Sequence, residues 1–315
     1  MLSSQLQLFG LPLITNRKDF AELLGIREET LVRLAYGAEH YYKEVLIPKK
    51  SGGMRQLCVP NRQLKAVQSW ILQNILYKLH SNVASKGFER GSSIKDNVIP
   101  HIGATHIVKV DLKDFFTTIK SKNIFLTFKT IGYNNQISKL LTLLCSYKGY
   151  LPQGSPASPK LANLICHRLD ARISRYVEKS DITYTRYADD ITLSAYSPQK
   201  ICAAYKFIQK VISEENFILN IKKTRFVGPT RRKKITGLVI SEKKSGIGRI
   251  EYRNMRKILH ELFLKSRSDY SFFHGKMNWI NDVDIENFKR LKKLATTLSK
   301  KTDDERFKKE MKKYE

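Results

Sequence analysis

The chain has 315 residues, room for one to three domains and a sizeable core, and 42% of them are hydrophobic, as in a globular protein. Its 57 Lys and Arg against 29 Asp and Glu leave a net charge of +28, a self-repelling excess most simply explained by a polyanionic partner. No apolar run approaches the roughly 18 residues of a membrane-spanning helix, no signal-peptide pattern opens the chain, and Cys58, Cys145, Cys166 and Cys202 lack the spacing of zinc ligands or a disulfide framework. A cytoplasmic location with reduced core cysteines is expected.

Residues 1–45 read as short helices, with Thr15-Asn16 as a candidate cap and Leu31, Leu34 and Ala35 at helical spacing. Glycines in Lys49-Lys-Ser-Gly-Gly-Met-Arg55, between Val45–Ile47 and Leu57–Val59, signal a hairpin. Over Leu64–Leu79 the period of Val67, Trp70, Ile71 and Ile75 predicts an amphipathic helix with Trp70 in the core. A loop over Gly87–Ile94 follows, then Asn97-Val-Ile-Pro-His101, where the histidine reads as structural or as a contact to a ligand. Ile107-Val-Lys-Val-Asp111 is a short apolar strand ending in a carboxylate. Helices are predicted over Ser121–Thr130, Gln136–Cys145 and Lys160–Ile173. The three prolines of Leu151–Pro159 exclude regular structure before the last of these.

Ile182–Ser194 alternates apolar and β-branched residues on both sides of Asp189 and Asp190, which reads as two strands joined by a tight turn. An Asp at a turn often bonds its own backbone; clustered carboxylates are also what divalent metals require. If the strand ending at Asp111 lies beside this hairpin, three carboxylates meet and repel one another unless cations neutralise them. Two metals about 4 Å apart would activate a 3′ or 2′ hydroxyl and stabilise a pyrophosphate leaving group, which is the chemistry of nucleotidyl transfer.

Between Lys222 and Lys257 stand thirteen Lys or Arg, opposed by Glu242 and Glu251. A membrane-surface segment would be a basic amphipathic helix. Arg231-Arg-Lys-Lys234 and Gly246-Ile-Gly248 instead read as strands and turns, so a phosphate backbone is the better target. From Tyr252 the pattern turns helical, with faces at Ile258, Leu259, Leu262 and Phe263, and at Phe288, Leu291, Leu294 and Leu298. The mixed-charge segment from Lys300 to Glu315 is expected to fray.

Asp111 with Phe116, then Leu151-Pro-Gln-Gly-Ser-Pro-Ala-Ser-Pro159, then Tyr187-Ala-Asp-Asp190, resemble the ordered motifs of reverse transcriptases from about Lys49 to Ile240. Asn97–His101 and Ile235-Thr-Gly237 narrow the resemblance to bacterial retron enzymes, whose patterns are Asn-Ala-x-x-His and Val-Thr-Gly; Val98 and Ile235 depart from them by apolar swaps.

The resemblance implies an α+β right-hand polymerase with a small antiparallel palm sheet. It divides the chain into a helical extension (1–45), fingers (46–105 and 125–165), palm (106–124 and 166–240) and helical thumb (241–315). Asp111, Asp189 and Asp190 would be catalytic and, with the Leu112 carbonyl, would hold two Mg²⁺ ions. Arg55, Lys49, Asp114, Phe116, Gln153 and Lys223 would meet the nucleotide. Phe116 would clash with a ribose 2′-OH unless it is simply core, as one of the adjacent Phe115 and Phe116 must be. The backbone near Gly154 would approach base or template. Lys223 would protonate pyrophosphate, unless Lys222 serves or both only bind phosphate.

Asn97, His101, Thr236 and Gly237 would face RNA, with Thr236–Ile240 gripping the primer end. Expected partners are deoxynucleotides, a cognate noncoding RNA, its branched RNA–DNA product, an effector protein in anti-phage defence and a host ribonuclease H, the chain being too short to carry its own. Two readings compete: an RNA-binding scaffold that restrains an effector, and a generic defence-associated reverse transcriptase.

Overall fold

The computed structural model describes residues 2–49 and 52–314. Contacts divide them into two units. The first holds residues up to Ser92, Val108–Leu193 and Pro198–Phe226; the second holds Ser93–Ile107, Ser194–Ser197 and the chain from Val227 onward. Among the described residues no helix is long and apolar enough to cross a membrane.

The first unit opens with helices α1 (Leu2–Leu8), α2 (Arg17–Leu24) and α3 (Glu28–Tyr36). Asn16 does cap α2, its side chain accepting from the Asp19 N–H. Strands β1 (Tyr42–Pro48) and β2 (Met54–Pro60) form an antiparallel hairpin with Ile47 opposite Arg55. Helix α4 (Arg62–Asn74) starts on an Asn61 cap and buries Leu64, Val67, Ile71 and Leu72. The second unit takes α5 (Ile94–Val98).

Strand β3 (His106–Lys113) runs two residues past Asp111. It leads to the short α6 (Phe115–Thr118), then to α7 (Ser121–Ile131) and α8 (Asn135–Cys145). The single helix expected over Lys160–Ile173 is two, α9 (Ser158–Ile165) and α10 (His167–Glu178), broken at Cys166. Strands β4 (Thr183–Tyr187) and β5 (Asp190–Ala195) form the expected hairpin, and α11 (Pro198–Glu214), β6 (Ile218–Leu219) and β7 (Arg225–Val227) follow. The sheet order β4-β5-β3-β6, with β7 also on β3, sets the Asp111 strand directly beside the strand that starts at Asp190. Helix α10 packs on β4 and α11 on β6, while β5 and β3, interior in the strand order, are buried almost throughout rather than on alternate residues.

In the second unit β8 (Lys233–Ile235), β9 (Leu238–Ile240) and β10 (Ser245–Gly246) form a small antiparallel sheet, followed by α12 (Gly248–Phe263), α13 (Tyr270–Val283), α14 (Ile285–Ser299) and α15 (Glu305–Met311). Residues 305–314, expected to fray, are ordered as helix. Asp304 caps α15, and Phe307, Met311 and Tyr314 are buried in the same core as Leu259, Phe273 and Leu291. Three well-spaced apolar side chains anchor that short helix, although its average composition is polar.

Candidate active site

Asp111 lies inside the sheet and is nearly buried, whereas Asp189 and Asp190 sit half-buried at the β4–β5 turn. The backbone joins them: the Leu112 N–H donates to the Asp189 carbonyl at 3.0 Å. Burial pushes both turn carboxyls above their ordinary range. The charge of Asp111 pushes each the same way, Asp190 adds to the effect on Asp189, and Lys109 and Lys223 offset part of it. Asn220 donates to Asp111 Oδ1 at 2.9 Å, and the Lys223 ammonium donates to Oδ2 at 2.8 Å. Lys223 is 57% exposed, and its own pKa is raised, chiefly by that bond to Asp111.

Among the described residues no three His, Cys, Asp or Glu side chains converge as a ready metal cage. The donor set nevertheless suits a hard divalent cation. Three carboxylates share one sheet end, the charge of Asp111 raises the pKa of the other two, and the Asp111 Oδ2 is paired with an ammonium.

A buried frame fixes the turn, and it was not foreseen. Arg186 is completely buried and uses all five of its N–H groups. Its Nε and Nη2 grip Asp170 at 2.7 and 2.6 Å, Nη1 reaches Asn163 Oδ1 (3.1 Å) and the Ala188 carbonyl (3.0 Å), and Nη2 also reaches Ser85 Oγ (3.1 Å). Tyr184 donates to Asp170 as well, at 2.6 Å. Ala188 takes a left-handed φ of 58°, which costs a residue with a side chain on the order of 1–2 kcal/mol. Arg186 holds its carbonyl in place.

A second brace is the segment Ala84–Glu89. Arg186 donates its N–H to Ala84 and accepts from Lys86. Asn163 donates to the Gly87 carbonyl at 2.6 Å and to Glu89 at 2.7 Å, and Lys160 pairs with Glu89 at 2.6 Å. Gly87 lies so close to the turn that a Cβ there would stand 2.8 Å from the Ala188 nitrogen. The available signals were an arginine and an aspartate at positions of apolar periodicity, Arg186 in a strand and Asp170 in α10.

Of the adjacent phenylalanines, Phe115 is buried and Phe116 half-exposed, so Phe116 is the one available to a ligand. Asp114 is exposed at φ 49°, and its carbonyl accepts from Thr117 and Thr118. Lys49 and Arg55 are exposed on the β1–β2 hairpin; Lys50 and Ser51 at its tip lie outside the described residues. Gln153 is half-buried, and its carbonyl accepts from the Cys58 N–H at 2.8 Å. Gly154, expected to make room for base or template, has a nearer reason to lack a side chain: a Cβ would stand 2.6 Å from the Cys58 carbonyl of β2.

In the second unit Thr236 (φ 42°) and Gly237 (φ 95°) are the two central residues of the β8–β9 turn, both left-handed as a two-residue hairpin of this kind requires. A β-branched residue is unusual there, and Asn97 Nδ2 donates to the Thr236 hydroxyl at 3.3 Å. His101 pairs with Ser194 Oγ at 2.7 Å, and burial pushes its pKa down to about 4. Asn97 and His101 are both buried, which differs from the surface contact expected of them; Thr236 is half-exposed and Gly237 exposed.

The family model for reverse transcriptase (RNA-dependent DNA polymerase) matches residues 47–240. The chain is 44% identical over 299 residues to the retron Ec86 reverse transcriptase of Escherichia coli, covering 94% of this chain and 93% of that protein. It is 33% identical over 264 residues to the retron Mx162 reverse transcriptase of Myxococcus xanthus, covering 74% of this chain and 54% of that longer one. A solved structure of telomerase from Candida albicans superposes with a TM-score of 0.50 at 13% identity, over 87% of this chain and 56% of the telomerase chain. The fold is that of the right-hand polymerases, and the chain belongs to the bacterial retron reverse transcriptases, which are RNA-directed DNA polymerases.

Proposed function

We propose that this enzyme copies part of its own cognate noncoding RNA into a branched RNA–DNA hybrid, starting from the 2′-OH of an internal guanosine, and that it does so in anti-phage defence beside an effector protein. The reading is carried by one observation. Asp111, paired with Lys223, lies beside the Asp189–Asp190 turn in a chain 44% identical, nearly end to end, to a retron enzyme.

Asp111, Asp189 and Asp190, assisted by the Leu112 carbonyl, would hold two Mg²⁺ ions, whose bound charge would favour the ionised attacking hydroxyl and offset that of the triphosphate. Lys223 then exchanges Asp111 for the leaving group and delivers its Nζ proton to the pyrophosphate oxygen. Its contact with Asp111 favours it over Lys222 for that role. Arg55 and Lys49 bind the triphosphate, Arg55 through the fork that suits phosphate oxygens. Asp114 and Gln153 line the nucleotide's path, and Phe116 rejects a ribose 2′-OH. Thr236 and Gly237 meet nucleic acid directly, while Asn97 and His101 support the segments that do. Fingers, palm and thumb are proposed at the boundaries expected from the motifs.

The test supplies the protein with RNA transcribed from its flanking DNA, Mg²⁺ and labelled deoxynucleotides, beside the Asp189→Asn/Asp190→Asn variant. A DNA ladder that shifts on debranching and is absent in the variant is expected. DNA made only on an added primer would remove the retron-type priming and leave a generic polymerase. RNA binding without any DNA would favour the scaffold reading.

A further inference from the structure

Phe88 is held in a conformation that its own chemistry disfavours. Its φ is 63°, an outlier for an aromatic residue, and the residue is 38% exposed, so core burial does not account for the strain. Its neighbours impose the geometry. Lys86 is bonded to Arg186, Gly87 is pressed against Ala188 and held by Asn163, and Glu89 is held by Lys160 and Asn163. With the segment pinned around it, the Phe88 ring stands between two others. Its centroid is 6.3 Å from that of Phe116 and 6.4 Å from that of Tyr187, which leads into the catalytic turn. Phe116 also contacts buried Phe115 (5.3 Å), and Phe115 stacks on Phe217 (5.8 Å).

We infer that Phe88 is a positioning residue for sugar selection: it backs the Phe116 ring and keeps it from yielding to a ribose 2′-OH. The inference rests on the reading of Phe116 as the residue that rejects ribose. A ring excludes one added hydroxyl only if it cannot swing away, because a small displacement relieves the overlap. Phe115 is fixed in the core and supports one part of the Phe116 ring. Phe88 supports another, from a loop tied to the same turn that carries Asp189 and Asp190. Nucleotide selection and the carboxylates therefore share one frame.

The test measures single-nucleotide incorporation by the full-length protein on a primed synthetic RNA template, comparing a deoxynucleotide with the matching ribonucleotide. Phe88→Asn removes the ring and keeps a residue that tolerates the left-handed backbone. It is expected to lower the deoxy-to-ribo ratio of kcat/KM by about tenfold, mainly through better use of the ribonucleotide. Phe88→Tyr should retain the ratio. In a Phe116→Val background, Phe88→Asn should change it no further, as expected of coupled residues.

Equal losses for both nucleotides would make Phe88 merely structural and overturn the inference. So would an unchanged ratio in Phe88→Asn while Phe116→Val relaxes it, an outcome that leaves the role of Phe116 standing. An unchanged ratio in Phe116→Val removes that role and the inference with it. Should Phe88→Asn not fold, Phe88→Leu keeps the apolar volume without the flat ring, and the same ratio decides.

Discussion

Lys223 and His101 are single residues whose surroundings make sharp claims. The Lys223 ammonium lies 2.8 Å from Asp111, whereas no ion pair joins Lys222 to any described residue. Lys223→Met should therefore slow single-nucleotide incorporation by about 100-fold, with Lys222→Met within about twofold of the parent; rapid-quench rates distinguish them. His101 carries a pKa lowered by burial to about 4. The folded protein thus holds it neutral, and the unfolded chain takes up a proton at higher pH. Its contribution is intact above the ordinary histidine range and is lost as pH falls from there toward 4. Between pH 7 and pH 5 that loss is about 2 kcal/mol. Denaturant unfolding at the two pH values should show it, and His101→Gln should flatten the difference even if it lowers stability at both.

At the scale of elements, the β4–β5 hairpin was readable because its signal is local. Strand-forming residues alternate on either side of two acidic residues, and the flanking strand ending at Asp111 has the same form. Its support was not readable, since Asp170 lies in α10, Asn163 in α9 and Ser85 in a loop about a hundred residues earlier. Removing one partner leaves the other buried and uncompensated. Asp170→Asn should cost about 3–5 kcal/mol in unfolding free energy and slow synthesis with it. A loss under 1 kcal/mol by denaturant titration would show that Arg186 finds other partners. Two of the misread elements have equally non-local causes. A continuous periodicity over 160–173 hides the break at Cys166, and the polar composition of the last segment hides Phe307, Met311 and Tyr314, whose partners are on other helices.

For the whole molecule the dominant fact is the charge of +28. A partner held mainly through phosphates releases counterions, so affinity must fall steeply with salt. With six or more phosphate contacts, RNA binding should weaken by about 1,000-fold between 50 and 200 mM salt. Filter binding across that range checks it, and a nearly flat dependence would assign the charge to something other than nucleic acid.

Chemistry that lies in residue type and order was determined by the sequence alone. The three carboxylates, the loop between Leu151 and Pro159 and the excess of basic residues needed no coordinates, because each is a local pattern or a sum over the chain. The tertiary structure decided which side chains meet. It turned Phe115 inward and Phe116 outward, set Lys223 on Asp111, buried Asn97 and His101, and brought Phe88 against Phe116. Those pairings depend on how distant segments pack, and no period or propensity along one chain encodes the distance between them.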